Sequence, residues 1–261
     1  FGYKGKSVQI PTVAKELGVR YVLEGSIRKV GDSVRINAQL IDGTTGGHIW
    51  ADRYDGKLIE VFRLQDKVSA EIIAALSVHL TPEEADGVAR VHTQNLEAYE
   101  LFRRATAAQN PPIPERLKTA RRMFERVIEL DPTFAGGYAG VSETLSSGVL
   151  FGYGNPDERV ERALLMAQKA IAVDETFGRS YTALGKALLA ARRHDEALSA
   201  GREAIKRQPN DAGSRASLSV VLGFAGQYDM AIEAINTAIR LNPKFFNGPY
   251  LNIFKIFLKV Y

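Results

Sequence analysis

A chain of 261 residues exceeds the usual single domain, so two compact units, or one domain with a repeat array, are expected. Apolar residues at 45% and charged residues at 25% argue against disorder, and no run approaches the roughly 18 to 20 apolar residues that a spanning helix needs. The absence of cysteine excludes disulfides, thiolate zinc clusters and cysteine nucleophiles, and the formal charge of +4 falls unevenly, with 11 Lys/Arg against 12 Asp/Glu in residues 1–88 and 23 against 18 in 89–261. The positive half is read as solvated helix faces rather than a nucleic-acid site. The chain opens Phe1-Gly2-Tyr3-Lys4, with neither an initiating Met nor a charged-then-apolar leader, and reads as part of a longer protein with a cytoplasmic location.

In chain order, Val13, Ala14 and Leu17 suit a short helix over 11–17 that Gly18 ends. Tyr21, Leu23 and Ile27, then Val34, Ile36, Ala38 and Leu40, alternate with polar neighbours as half-buried strands do, and Gly31-Asp32 sits where a hairpin turn is wanted. A second turn at 42–47 leads into His48 to Tyr54, which predicts three antiparallel strands. A helix over about 58–78 puts Val61, Leu64, Val68, Ile72 and Ala75 on one side, a stripe fit to cover a sheet face. Thr81 and Glu84, spaced as a capping box, start a bridging helix, and the domain boundary is placed at 79–94.

Beyond it, small residues recur every 34 positions: Ala163, Ala197 and Ala231 in one series, Ala170, Ala204 and Ala238 in another. Leu184 with Leu218, Leu188 with Leu222, and Pro209 with Pro243 share the register. Helices are predicted near 95–109, 115–130, 135–150, 157–173, 179–192, 195–208, 213–226 and 229–241, making four hairpins over 95–245. The segment 246–261 would begin a fifth hairpin or a closing helix. In the second hairpin the turn is nine residues too long. Its extra segment, Ser146 to Gly154, contains Phe151 and Tyr153 and is read as a tolerated insertion, with an aromatic binding loop as the alternative. Asn155-Pro156-Asp157-Glu158 then caps and starts the next helix.

Signs of chemistry are few. The run Gly43-Thr44-Thr45-Gly46-Gly47 lacks the Lys of a phosphate loop and reads as a turn, and His48, His79, His92 and His194 are scattered, with no pair at ligand spacing. Asp195 reads as a helix cap, and Trp50 as a sheet-face anchor. No catalytic residue, metal or cofactor is expected.

Tyr181-x-x-Leu184-Gly185-x-x-Leu188, followed by Ala197, Ala204 and Pro209, resembles the tetratricopeptide repeat, although Gly201 and Ile235 stand where the family has a bulky aromatic and Arg215 replaces its first aromatic. The first part has its own resemblance, carried by Ala14-Lys15-Glu16-Leu17-Gly18-Val19, Tyr21 to Ser26, Val34 to Asp42 and Trp50 to Tyr54. These residues are similar to the TolB-like domain that precedes such repeats in many bacterial class III adenylate or guanylate cyclases and in some winged-helix regulators. The family domain usually starts with a further strand and helix, which this chain lacks. The fold expected is therefore mixed: a small α/β domain over 1–88 with a three-stranded antiparallel sheet, then an all-α tetratricopeptide solenoid.

The function these resemblances imply is a non-catalytic protein-interaction or regulatory module of a bacterial signalling protein. Two alternatives stand beside it: part of a cyclase polypeptide whose catalytic domain lies outside this chain, and the sensor arm of a winged-helix regulator. The expected partner is a protein or peptide, with a homodimer left open. The family lines its groove with the first helix of each hairpin, and spacing projects Glu100, Arg104, Ala139, Glu143, Thr182, Lys186, Ala216 and Val220 onto that surface. The Lys/Asn set that clamps a C-terminal carboxylate in some members is not reproduced, since Lys186 stands nearly alone.

Overall fold

A computed structural model describes residues 9–76, 92–153 and 155–242. Its contacts divide the chain into two units, Phe1–Gln94 and Asn95–Tyr261.

In the first unit helix α1 (Ile10–Leu17) buries Val13 and Ala14 and stops at Gly18, whose φ of 64° is left-handed and whose N–H turns back to the Lys15 carbonyl. Strands β1 (Tyr21–Val30), β2 (Ser33–Asp42) and β3 (His48–Lys57) form an antiparallel sheet in that order. Gly31, at φ 57°, makes the two-residue turn between β1 and β2. Asp42 organises the second turn, its carboxylate accepting from the Thr44 and Thr45 N–H groups at 2.7 and 3.2 Å. Those two donors hold the Asp42 carboxyl below the usual carboxylate range. The glycines that follow serve the hairpin.

The register sets Leu23 and Ile27, Val34 to Leu40 at alternate positions, and Trp50 and Tyr54 on one sheet face. Helix α2 (Val61–Leu76), entered through a 3-10 turn at Leu58–Glu60, packs on the β2 and β3 side of that face. Leu64 is buried against Gly56, where a Cβ would come within 2.7 Å of it. The Tyr54 hydroxyl donates to Glu71 at 2.5 Å, and burial together with that carboxylate pushes its pKa up. Trp50 stands 6.3 Å from the Tyr54 ring, a sheet-face anchor. The β1 end of the face is uncovered: Leu23 is 53% and Ile27 72% exposed. The opposite face is polar, with Arg35 paired to Asp55 at 2.6 Å and Arg53 alongside at 3.6 Å. The capping box at Thr81 and Glu84, His79 and the closing segment 246–261 lie outside the described residues.

In the second unit the helices are α3 (Leu96–Ala108), α4 (Pro114–Leu130), α5 (Ala135–Leu150), α6 (Pro156–Val173), α7 (Gly178–Ala190), α8 (His194–Arg207), α9 (Ala212–Phe224) and α10 (Tyr228–Leu241). Consecutive helices pack as hairpins, and the first helices α3, α5, α7 and α9 pack side by side. Local chemistry explains the ends: Asn95, Asn155 and Asp211 accept from first-turn N–H groups, and Pro114 and Pro156 occupy the first helical turn. Asp195 differs from expectation. Helix α8 starts at His194 with Arg193 at the cap position, so Asp195 lies in the first turn, where its charge favours the positive helix end without capping it.

All six alanines of the 34-residue series are buried to within 1%. Methyl groups at these contacts let paired helices approach closely, while Phe124, Phe134, Leu145 and Val127 fill the wider gaps. Packing is tightest at Gly140 on α5, where an added Cβ would lie 2.2 Å from the Phe124 ring. At Gly185 on α7 the nearest atom to an added Cβ, the Ala197 carbonyl oxygen, is 3.4 Å away, an ordinary contact. Where the repeat pattern has an aromatic, Gly201 instead leaves room for Leu218 of the next hairpin. Two core clusters result, one from α3 to Ala187 of α7 and one from Leu188 of α7 into α10.

Candidate partner-binding face

The first helices of the four hairpins form a continuous ladder, and an arginine dominates its floor. Arg179, at the start of α7, donates from Nε and Nη2 to the two carboxylate oxygens of Glu143 on α5, at 2.9 and 2.8 Å. Its Nη1 reaches Thr106 on α3 at 3.0 Å, and the guanidinium lies over the Phe102 and Phe124 rings at 4.9 and 5.9 Å. Gln109 donates to the same carboxylate at 3.4 Å. One side chain thus ties three hairpins together. Burial pushes the Glu143 carboxyl up, but Arg179, with Lys186 and Gln109, outweighs it and holds the group below the usual carboxylate range.

This network decides what the projected contact residues can offer. Glu143 is 4% exposed and spent on Arg179. Ala139 belongs to the core, and Thr182 is buried with its hydroxyl 2.7 Å from that of Ser214 on α9. All three lie on first helices, as spacing expects, but packing against the neighbouring first helices buries them. Glu100 and Arg104 are exposed, and Lys186, Ala216 and Val220 are half-buried. Phe224, in the last turn of the first helix α9, is 61% exposed and lies outside the projected set. Arg179 was missed as well: the projection took residues four apart along each first helix, and Arg179 lies outside that set.

At the outer turns, arginines take over from missing consensus residues. Arg207 stacks on Tyr181 at 4.2 Å and donates to the Glu175 carbonyl at 2.7 Å, while Arg215, standing where the repeat has its first aromatic, donates to the Pro209 carbonyl at 2.8 Å. Among the described residues no group of three or more His, Asp or Glu is placed to hold a metal ion, and no helix is long and apolar enough to cross a membrane.

Residues 178–211 and 212–245 match the tetratricopeptide repeat family. The chain is also 42% identical over 198 residues to the putative adenylate cyclase 3 of Rhizobium meliloti (strain 1021), an alignment covering 76% of this chain and 34% of that protein. The chain thus spans about a third of the length of its curated relative. Among solved structures, pilF of Pseudomonas aeruginosa is 19% identical with a TM-score of 0.44, over 64% of this chain and 70% of the other. TTC0263, a tetratricopeptide protein of Thermus thermophilus, is 17% identical with a TM-score of 0.44, over 76% and 99%.

Proposed function

We propose that this chain is the regulatory and interaction region of a bacterial nucleotide-cyclase polypeptide whose catalytic domain lies outside it. The observation that carries this reading is the 42% identity over 198 residues to a protein named a putative adenylate cyclase, of which the matched stretch is only 34%. In this reading residues 1–88 are a TolB-like domain and the array receives a peptide or partner domain on the ladder of first helices. The residues of that ladder that reach the surface are Glu100, Arg104, Lys186, Ala216, Val220 and Phe224; mixed charge beside half-buried apolar positions suits an amphipathic helix or extended peptide.

The experiment has two arms. The isolated chain, given ATP or GTP, should make no cyclic nucleotide, while the full-length polypeptide should; turnover by the isolated chain would overturn the reading. In the full-length protein, Arg104→Glu with Lys186→Glu should weaken partner capture about tenfold or more, the order expected when two interfacial charges are reversed. Unchanged capture would remove the ladder as the binding face.

A further inference from the structure

Ser146 to Leu150 of the expected insertion are the end of α5, and Phe151 to Tyr153 after them fold back on that helix and close a cationic cavity. Tyr153 N–H donates to the Gly148 carbonyl at 2.6 Å, bringing the loop over the last turn of α5. Arg159 of α6 reaches the same turn, with its Nη1 2.5 Å from where a Cβ on Gly148 would sit. The missing side chain at Gly148 is what admits the guanidinium. A cavity of about 160 Å³ opens here, and its polar lining is Lys118, Arg121, Thr144, Tyr153, Arg159 and one carboxylate, Glu115.

Three cations against one carboxylate leave a surplus of positive charge. Among the described residues Lys118, Arg121 and Arg159 make no ion pair or hydrogen bond with a protein group. Glu125, the acidic neighbour of Arg121, is taken by Arg162 at 2.7 Å. Burial, and then the charges of Arg162, Arg159 and Arg122, lower the Arg121 pKa against the pull of Glu125, so a cation is held where the field already disfavours one. Pro114 at the start of α4 also lines the space, and Ile113 before it supplies no side-chain cap, so the positive end of that helix adds to the surplus.

We propose that this cavity binds the phosphate group of a phosphorylated small molecule, with Lys118, Arg121 and Arg159 as its charge partners and the Tyr153 hydroxyl as a further donor. A phosphate dianion matches the surplus where a single carboxylate would leave part of it unbalanced, and planar guanidinium forks suit its oxygens. Beside the cavity Phe151 is 50% exposed and stacked on Tyr153, centroids 6.4 Å apart and planes 20° apart, a ring face open to a planar base. The site lies at the turn end of the second hairpin and uses none of the residues proposed to face a partner on the ladder of first helices.

The test is calorimetric titration of the chain at low salt with inorganic phosphate and, separately, AMP. Saturable binding of either is expected, about tenfold weaker or more in Arg121→Gln and in Arg159→Gln, with circular dichroism confirming the fold. Lys118 is exposed, so Lys118→Gln reads the site without touching the core and should also weaken binding. Tighter binding of AMP that Phe151→Ala returns to the phosphate value identifies a nucleotide; equal binding identifies phosphate alone, and both support the site. Three results overturn it: no saturable binding of either ligand, wild-type affinity in both Lys118→Gln and Arg121→Gln, or an equal loss in Arg240→Gln on α10, which would mark a general charge effect.

Discussion

Gly140 and Gly185 occupy first helices of successive hairpins and differ in the space around them. A methyl group on Gly140 would enter the buried Phe124 ring, whereas at Gly185 it meets its nearest atom at ordinary contact distance. Gly140→Ala should therefore destabilise the array by about 2 kcal/mol through overpacking. Gly185→Ala should be tolerated and gain up to about 1 kcal/mol of helix propensity. Urea unfolding of the two variants checks both, and similar midpoints would refute the difference. The sequence could not separate them. Each glycine lies in a helix of the right length and period, and only the neighbouring side chain, a phenyl ring in one case and a backbone carbonyl in the other, distinguishes a forced glycine from a convenient one.

Among the elements, β1 is the one whose stability is least its own. Among the described residues nothing pairs with its outer edge, and Leu23 and Ile27 leave the apolar face open at that end. Long apolar edge strands recruit other chains. Ile27→Lys, which puts a charge on this face, should raise the concentration at which the chain stays monomeric in light scattering while leaving its circular dichroism unchanged; unaltered association would show that the edge is protected. Much at this scale was legible beforehand. The alternation of Val34 to Leu40, Gly18 after a short apolar stripe, Asn155-Pro156 ahead of a long one and the 34-residue spacing of alanines each locate an element by a local rule. What was not legible depends on residues distant in sequence: Thr182 is matched by Ser214 and Glu143 by Arg179, partners 32 and 36 residues away. Helical period says which way a side chain points, and not what the next hairpin sets opposite it.

At the scale of the array, the Glu143–Arg179 pair couples three hairpins that a linear stack would join only to their neighbours. Removing one partner of a buried pair leaves an uncompensated charge, so Glu143→Gln should cost about 3 kcal/mol at neutral pH. The sign with pH follows from the depressed carboxyl. Its contribution is complete above the unfolded value of about 4.3 and disappears as pH falls through the lower folded value. Denaturant midpoints of the wild type and Glu143→Gln should therefore converge in strong acid; a constant gap down to low pH would assign the loss to packing instead.

Helix α7 belongs to both core clusters, its residues up to Ala187 closing one and Leu188 and Leu189 opening the other. It acts as a splint across a seam. Removing α9 and α10 would uncover the second cluster and leave the first three hairpins held together by Arg179.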